Sequence, residues 1–106
     1  MNPVVVLTTT DSPEVAQQIA TALVEAGEAA CVSIVPEIRS IYRWEGQVYD
    51  ERELLLVIKS TAERYEEVRS RIRQLHSYEV PEVIVLPITA GDPNYLRWLS
   101  QVTGDE

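Results

Sequence analysis

The chain is poor in the residues that supply most covalent, redox and soft-metal chemistry. It has one cysteine, one histidine and one methionine among 106 residues, and only four glycines. The single cysteine, Cys31, excludes a disulfide within the chain and fits a reducing compartment, so we expect a cytoplasmic protein. The sequence has no glycine-rich phosphate loop, no nucleophile elbow and no metalloprotease helix motif. We therefore expect no enzymatic activity.

Positive charge is also scarce. Nine lysines and arginines stand against seventeen aspartates and glutamates, which gives a formal net charge of −8 at pH 7. Binding to the phosphate backbone needs clustered positive charge, so the balance argues against a nucleic-acid partner and favours cations. Residues 1–11 have neither the basic region of a signal peptide nor an apolar run long enough to cross a membrane. We expect no membrane partner.

Hydrophobic patterning predicts a single domain over residues 1–106 that alternates strands and helices. Helices are predicted after an N-cap and proline at 11–13, after a capping box at 60–63, and after Asp92. The order β-α-β-β-α-β, followed by a short C-terminal helix, indicates an α+β fold of the ferredoxin-like type. The predicted strands cover residues 3–10, 29–44, 48–59 and 83–88.

The second predicted helix carries its charges in an order that suits the helix dipole. Glutamates come first and arginines follow, and Glu67 with Arg71 has the spacing of a favourable i, i+4 pair. This basic cluster is therefore explained by a solvated helix face. His76 lies at the end of this helix.

The two middle strands are too long for one small domain to cover. Pro36 cannot donate to a strand ladder, so we expect a bulge there, and residues 44–47 form a hairpin turn. A ribbon that projects with Tyr42, Trp44 and Tyr49 on it would aggregate unless another chain covered it. We therefore expect these three aromatic residues at an interface between copies of the chain, with closed symmetry.

Five segments distributed over nearly the whole chain are 29–36 (AACVSIVP), 40–46 (SIYRWEG), 55–59 (LLVIK), 76–82 (HSYEVPE) and 91–99 (GDPNYLRWL). They resemble signature blocks of the CutA divalent-cation tolerance proteins, in the same order. The resemblance implies a ferredoxin-like subunit in a homotrimer, similar in architecture to the PII signalling proteins. It also implies a link to copper and other divalent cations.

Cys31, His76 and Glu79 are the candidate metal ligands. Where copper ligands have been proposed in the family, a cysteine follows the first strand and paired histidines end the second helix. This sequence has Thr8 and Leu75 at those places, so the resemblance carries over only His76. We expect copper or another divalent cation to bind weakly or between subunits. Cys31 also fits a core position, and His76 a capping role at the helix C-terminus.

The segment 76–82 supports a second hypothesis, a regulatory or scaffolding module of the PII type. Such a trimer would bind a small metabolite or a partner protein in a cleft between subunits. We assign Tyr78, Glu82 and Lys59 to that cleft. In a purely structural interpretation, Pro81 ends the connection and Tyr78 packs under the sheet. The assembly would then be only a stable structural trimer.

Overall fold

The computed structural model describes residues 2–104, and within them four strands form one antiparallel sheet in the order β2-β3-β1-β4. This is the predicted ferredoxin-like α+β fold. No helix in this part of the chain is long and apolar enough to cross a membrane. The elements are β1 (Pro3–Thr10), α1 (Pro13–Glu25), β2 (Cys31–Trp44), β3 (Gln47–Thr61), α2 (Tyr65–Leu75), β4 (Ile84–Pro87) and α3 (Pro93–Thr103).

One side of the sheet packs against α1 and α2 to form the core. Side chains alternate along a strand, so Val4 and Val6 of β1 are buried while Val5 between them is only half-buried. The apolar stripes of both helices, predicted from their 3.6-residue spacing, meet this side. The fully buried apolar members of the core are Val6, Ala16, Ile19, Leu23, Leu56, Ile58, Val68 and Ile72.

The other side of the sheet, which we call the open face, is also apolar but less covered. Helix α3 contacts β3 and β1 and buries Leu99. Outside that contact, Leu86 and Ile84 of β4 remain 46% and 47% exposed. A sheet with two apolar sides needs cover on both. We define the open face by Val5, Leu7, Val35, Leu55, Val57, Ile84 and Leu86, as the strand register places them.

The long hairpin projects beyond the sheet, as predicted. β1 pairs only with residues 54–61 of β3, so residues 47–53 pair with β2 alone. This two-stranded part, which we call the ribbon, is about 23 Å long at roughly 3.3 Å per residue. A bulge between Val35 and Ile38 leads into it. Glu45 and Gly46, with φ of 50° and 82°, make the turn at its tip. Positive φ at both residues is typical of a type I′ turn.

The capping box predicted at residues 60–63 is wrong. Ser60 belongs to β3, and its hydroxyl donates to the carbonyl oxygen of Glu28 at 2.6 Å. A 3₁₀ turn over Ala62–Arg64 leads into α2, and neither it nor α2 has a side-chain cap. Strand pairing with β1 extends through Ser60, so the chain enters the helix later than its local sequence indicates.

The predicted pair of Glu67 with Arg71 does not form either. The guanidinium of Arg71 instead makes two hydrogen bonds to the Glu28 carboxylate, at 3.1 and 2.9 Å. Glu67 accepts from Arg64 at 2.8 Å. Glu28 follows α1 and presents both carboxylate oxygens to Arg71, which matches the fork geometry of arginine better than a partner on the same helix.

Candidate functional site

The connection from α2 to β4 is tied to the end of β1 by His76. The Nε2–H of His76 donates to the carbonyl oxygen of Thr9 at 2.6 Å, and its Nδ1 accepts from the amide of Tyr78 at 3.1 Å. A carbonyl can only accept, so this pairing assigns the tautomer. Both ring nitrogens are thereby occupied. His76 therefore joins the connection to the end of β1 and has no free lone pair for a metal.

Tyr78 links this connection to the base of the ribbon. Its ring lies 4.5 Å from the His76 ring, centroid to centroid, and its hydroxyl donates to a carboxylate oxygen of Glu53 at 2.6 Å. Glu53 is only 6% exposed. Burial, with the bond to Glu53 adding to it, raises the pKa of Tyr78 well above its usual range. Tyr78 therefore stays a neutral phenol at physiological pH, as a hydrogen-bond donor to a buried carboxylate should.

A second tyrosine and carboxylate pair lies further along the ribbon. The hydroxyl of Tyr42 donates to Glu51 at 2.6 Å, and its ring stacks on Tyr49 with centroids 5.4 Å apart. The bond to Glu51 is the main reason that the pKa of Tyr42 rises to about 12. The register pairs Ser40 with Glu51 and Tyr42 with Tyr49. Because side chains alternate, Glu51, Glu53 and both tyrosines share one side of the ribbon.

Tyr42, Glu51 and Tyr78 line a concave site, which we call the hairpin pocket, with a volume of about 230 Å³. It lies where the ribbon meets the start of α1 and the connection after α2. Among the described residues, neither a lysine nor an arginine lines it. Its walls therefore combine aromatic rings with negative charge. The aromatic and acidic residues that line it are Asp11, Tyr42, Trp44, Glu51, Tyr78 and Glu79.

The structure does not bring the predicted metal ligands together within one chain. Glu79 lines the hairpin pocket, and His76 is next to it in the connection. Cys31, however, pairs with Lys59, while the Thr9 that holds His76 pairs with Leu55. Lys59 and Leu55 are four residues apart on β3, so Cys31 lies about 13 Å along the strand from the place where His76 is held, at roughly 3.3 Å per residue. Within residues 2–104 no group of three or more histidine, cysteine, aspartate or glutamate side chains could hold a metal ion.

The predicted cleft residues are divided in the same way. Tyr78 lies in the hairpin pocket, and Glu82 interacts electrostatically with the nearby Glu53. Lys59 lies near the C-terminal end of β3, away from Glu53, and its Nζ donates to Ser33 at 2.7 Å. Strand register separates Lys59 from Tyr78, so one chain does not form a cleft that contains all three predicted residues.

Sequence reasoning missed Asp11 and Glu53. Asp11 follows β1 directly and was assigned only to helix capping, while its place in the pocket depends on the fold. Glu53 carried a local signal, because it directly precedes the apolar run at residues 54–58 within a predicted strand. An acid at such a position is buried only when it is paired.

Replacing Glu82 with glutamine should stabilise the protein at neutral pH but not in acid. Partial desolvation of the carboxyl, with the Glu53 charge adding to it, raises the pKa of Glu82. The folded chain thus binds this proton more tightly than the unfolded chain. Ionisation therefore costs stability as pH rises above the unfolded value of about 4.3.

We expect Glu82→Gln to unfold at a higher urea concentration than the native chain at pH 7, and at the same concentration below about pH 4. Glu82 is exposed at the surface, so the difference will be small. An equal advantage at both pH values would show that ionisation of Glu82 is not its cause.

The structure thus defines a small α+β chain of ferredoxin-like topology, with a projecting ribbon, an uncovered apolar sheet face and an acidic, aromatic pocket between them. A family profile described as "CutA1 divalent ion tolerance protein" matches residues 4–102. The chain belongs to this CutA family.

Relatives and solved structures agree with this assignment. The chain is 51% identical over 100 residues to the divalent-cation tolerance protein CutA of Thermus thermophilus, covering 94% of this chain and 97% of that protein. It is 43% identical over 95 residues to mouse protein CutA, covering 90% of this chain but 54% of the mouse protein. The structure of Cut A1 from Thermus thermophilus superposes with a TM-score of 0.93 at 50% identity, covering 96% of this chain and 99% of that one. For CutA1 from Oryza sativa the TM-score is 0.94 at 38% identity, with 100% and 97% covered.

Proposed function

We propose that this chain acts in divalent-cation tolerance as a cytoplasmic homotrimer without catalytic activity, and that copper or another divalent cation binds it weakly at a boundary between subunits. The family and the names of its relatives support the role in cation tolerance. The net charge of −8 suits a protein that attracts cations. The single cysteine supports the cytoplasmic location.

The observation that carries the assembly is the partly covered open face, on which Val35, Ile84 and Leu86 remain exposed. Its apolar side chains continue towards the side of the ribbon that holds Tyr42 and Tyr49, although Glu51 and Glu53 lie between them on β3. A surface of this kind is costly to leave in water and is typical of an interface. Three copies is the number that the family resemblance implies, and closed cyclic symmetry lets each copy cover the next.

The proposed metal site would draw on two chains, because no three possible ligands converge within residues 2–104 of one chain. His76 has both ring nitrogens occupied, so the available ligands in the hairpin pocket are carboxylates such as Glu79 and Asp11. Carboxylates bind divalent cations, but a stable site needs several that converge. Cys31, the sulfur ligand, lies on the sheet side that a neighbouring copy would cover. A second chain would have to complete either set.

Calorimetric titration of the metal-free protein with copper, zinc and nickel tests the metal binding. We expect weak but saturable heat with at least one metal. The variant Glu79→Gln should weaken it if the pocket supplies the ligands, and Cys31→Ser if the cysteine does. The matched control is Glu25→Gln, which alters an exposed carboxylate on α1. No saturable heat with any of the three metals would contradict direct binding.

The hairpin pocket favours a second candidate function, the regulatory module of the PII type. A pocket with three aromatic walls has more in common with an organic ligand site than with a metal site. In this alternative the trimer binds a small metabolite or a partner protein, and metal tolerance is an indirect result.

A further inference from the structure

We propose that the side of the ribbon turned away from Tyr42 and Tyr49 binds an extended acidic segment of a partner protein. Side chains alternate along each strand, so the neighbours of these two tyrosines face the other way. On β3 this side continues the one that packs against α1 and α2. It is therefore not the side assigned to the interface between copies. We call it the outer side of the ribbon, and it carries Arg39, Ile41, Arg43, Val48, Asp50 and Arg52.

Two apolar side chains in the middle of the outer side are left in water. Ile41 and Val48 are 66% and 64% exposed, more than any residue of the open face. The register makes them diagonal neighbours, about 7–8 Å apart on one side of the ribbon. Neither α1 nor α2 covers them. An apolar pair with charged side chains around it has the arrangement of a small protein interface, in which arginine is also enriched.

Most charged groups on the outer side are arginines. The chain has nine lysines and arginines, and three of them lie here with one carboxylate, Asp50. Arg39 uses that carboxylate through two hydrogen bonds, at 2.8 and 2.6 Å. The carboxylates of Glu51 and Glu53 lie on the opposite side, where tyrosine hydroxyls donate to them. A chain with a net charge of −8 thus has a locally positive surface, which complements an acidic partner.

Two of the three arginines are available to a partner. Arg43 is exposed and forms no ion pair within residues 2–104. Arg52 reaches Glu37 at 4.0 Å, and their side chains are 82% and 76% exposed. An exposed ion pair at that distance contributes little, so a carboxylate of a partner can replace Glu37. Both guanidinium groups can then bind a carboxylate through two parallel hydrogen bonds.

The spacing of these groups determines the pattern of the partner. Arg52 pairs with Arg39, which lies four residues from Arg43, so the two available arginines are about 13 Å apart along the ribbon. Ile41 lies midway between them. In an extended segment, residues i, i+2 and i+4 share one side and span the same length. The partner therefore carries an acid, an apolar residue and a second acid at alternate positions.

The same surface is a poor site for a nucleic acid. Binding to a phosphate backbone grows with every phosphate that a lysine or arginine neutralises, and two available arginines are few. Glu45 at the tip and Glu37 at the bulge add negative charge at both ends of the ribbon. Two separate carboxylates can avoid these acids, whereas a continuous line of phosphates cannot.

Titration with the blocked peptide SESISES, followed by NMR at constant ionic strength, tests the proposal. We expect saturable shifts at the methyl groups of Ile41 and Val48. Arg43→Gln and Ile41→Ser should each weaken binding about tenfold, through loss of a charge-assisted hydrogen bond and of apolar burial. The matched controls are Arg73→Gln and Val24→Ser, exposed positions on α2 and α1 that should leave binding unchanged.

A second peptide, SEESISS, has the same composition with its acids side by side, and we expect it to bind more weakly. Absence of saturation with SESISES would overturn the proposal, as would equal binding of the two peptides. Shifts confined to Tyr42 and Tyr49 would overturn it too, because they would place the peptide on the other side of the ribbon. Tighter binding of a short single-stranded DNA of the same charge would indicate a phosphate site instead.

Sedimentation of the same samples separates this inference from the assembly. Binding by a monomer contradicts only the trimer, and a trimer that does not bind the peptide contradicts only this inference. Calorimetric titration with metals is independent of both, because no residue of the outer side is a proposed metal ligand.

Discussion

Replacing Leu86 with aspartate should turn the proposed trimer into smaller species. Leu86 is 46% exposed in the single chain and pairs with Val5 on the open face. If another copy covers that face, the new carboxylate loses its water without gaining a partner, and an unpaired buried charge costs several kcal/mol. Sedimentation velocity at several concentrations measures the change.

The matched control for this variant is Val24→Asp. Val24 is 45% exposed and lies on α1, which covers the opposite side of the sheet. This substitution introduces the same charge at the same exposure, and we expect it to leave the assembly intact. If both variants sediment like the native protein, the open face is not where the copies meet.

Shortening Ile72 to alanine should lower the free energy of unfolding by about 2–5 kcal/mol. Ile72 lies on α2, is fully buried, and packs against the sheet and α1 in the core. Removing its outer carbons loses apolar burial and leaves a cavity that the surrounding side chains fill only in part. That loss is a large fraction of the stability of a domain of this size.

Urea unfolding at one fixed protein concentration measures this loss, because association adds a term that depends on concentration. The control is Gln74→Ala, an exposed position two residues further along the same helix, where we expect a change within about 0.5 kcal/mol. Equal losses in the two variants would mean that α2 does not pack as described.

The strands and the hairpin could be predicted because their signals are local. The β-branched run of β1 and the bulge after Val35 are written in neighbouring residues, and so is the turn at Gly46. Side-chain partners were not local. Ser60 and Arg71 both find Glu28, which lies 32 and 43 residues away. Helix spacing predicted Glu67 as the partner of Arg71. Only the fold shows that Glu28 is close enough to bond to Arg71 instead.

The candidate site was predictable as a segment but not as a set of contacts. The connection that holds His76, Tyr78 and Glu79 does lie at a pocket. The role of His76 depended on Thr9, whose carbonyl oxygen accepts a hydrogen bond from Nε2–H and so leaves that nitrogen without a lone pair for a metal. The separation of Cys31 from this segment depended on strand register. Neither the partner of a ring nitrogen nor the register of two strands can be derived from residue types alone.

The bulge after Val35 determines which chemistry the ribbon presents on each side. Regular pairing past Val35 and Leu55 would match Arg39 with Glu51 and Ile41 with Tyr49, whereas the extra residue matches Ser40 and Tyr42 with them. A shift of one residue exchanges the two sides of a strand. Pairing the same chain without the bulge would therefore turn the ring of Tyr42 away from the acids of β3 and bring arginine and isoleucine in its place. One inserted residue thus keeps the aromatic pocket and the apolar sheet surface on the same side of the molecule.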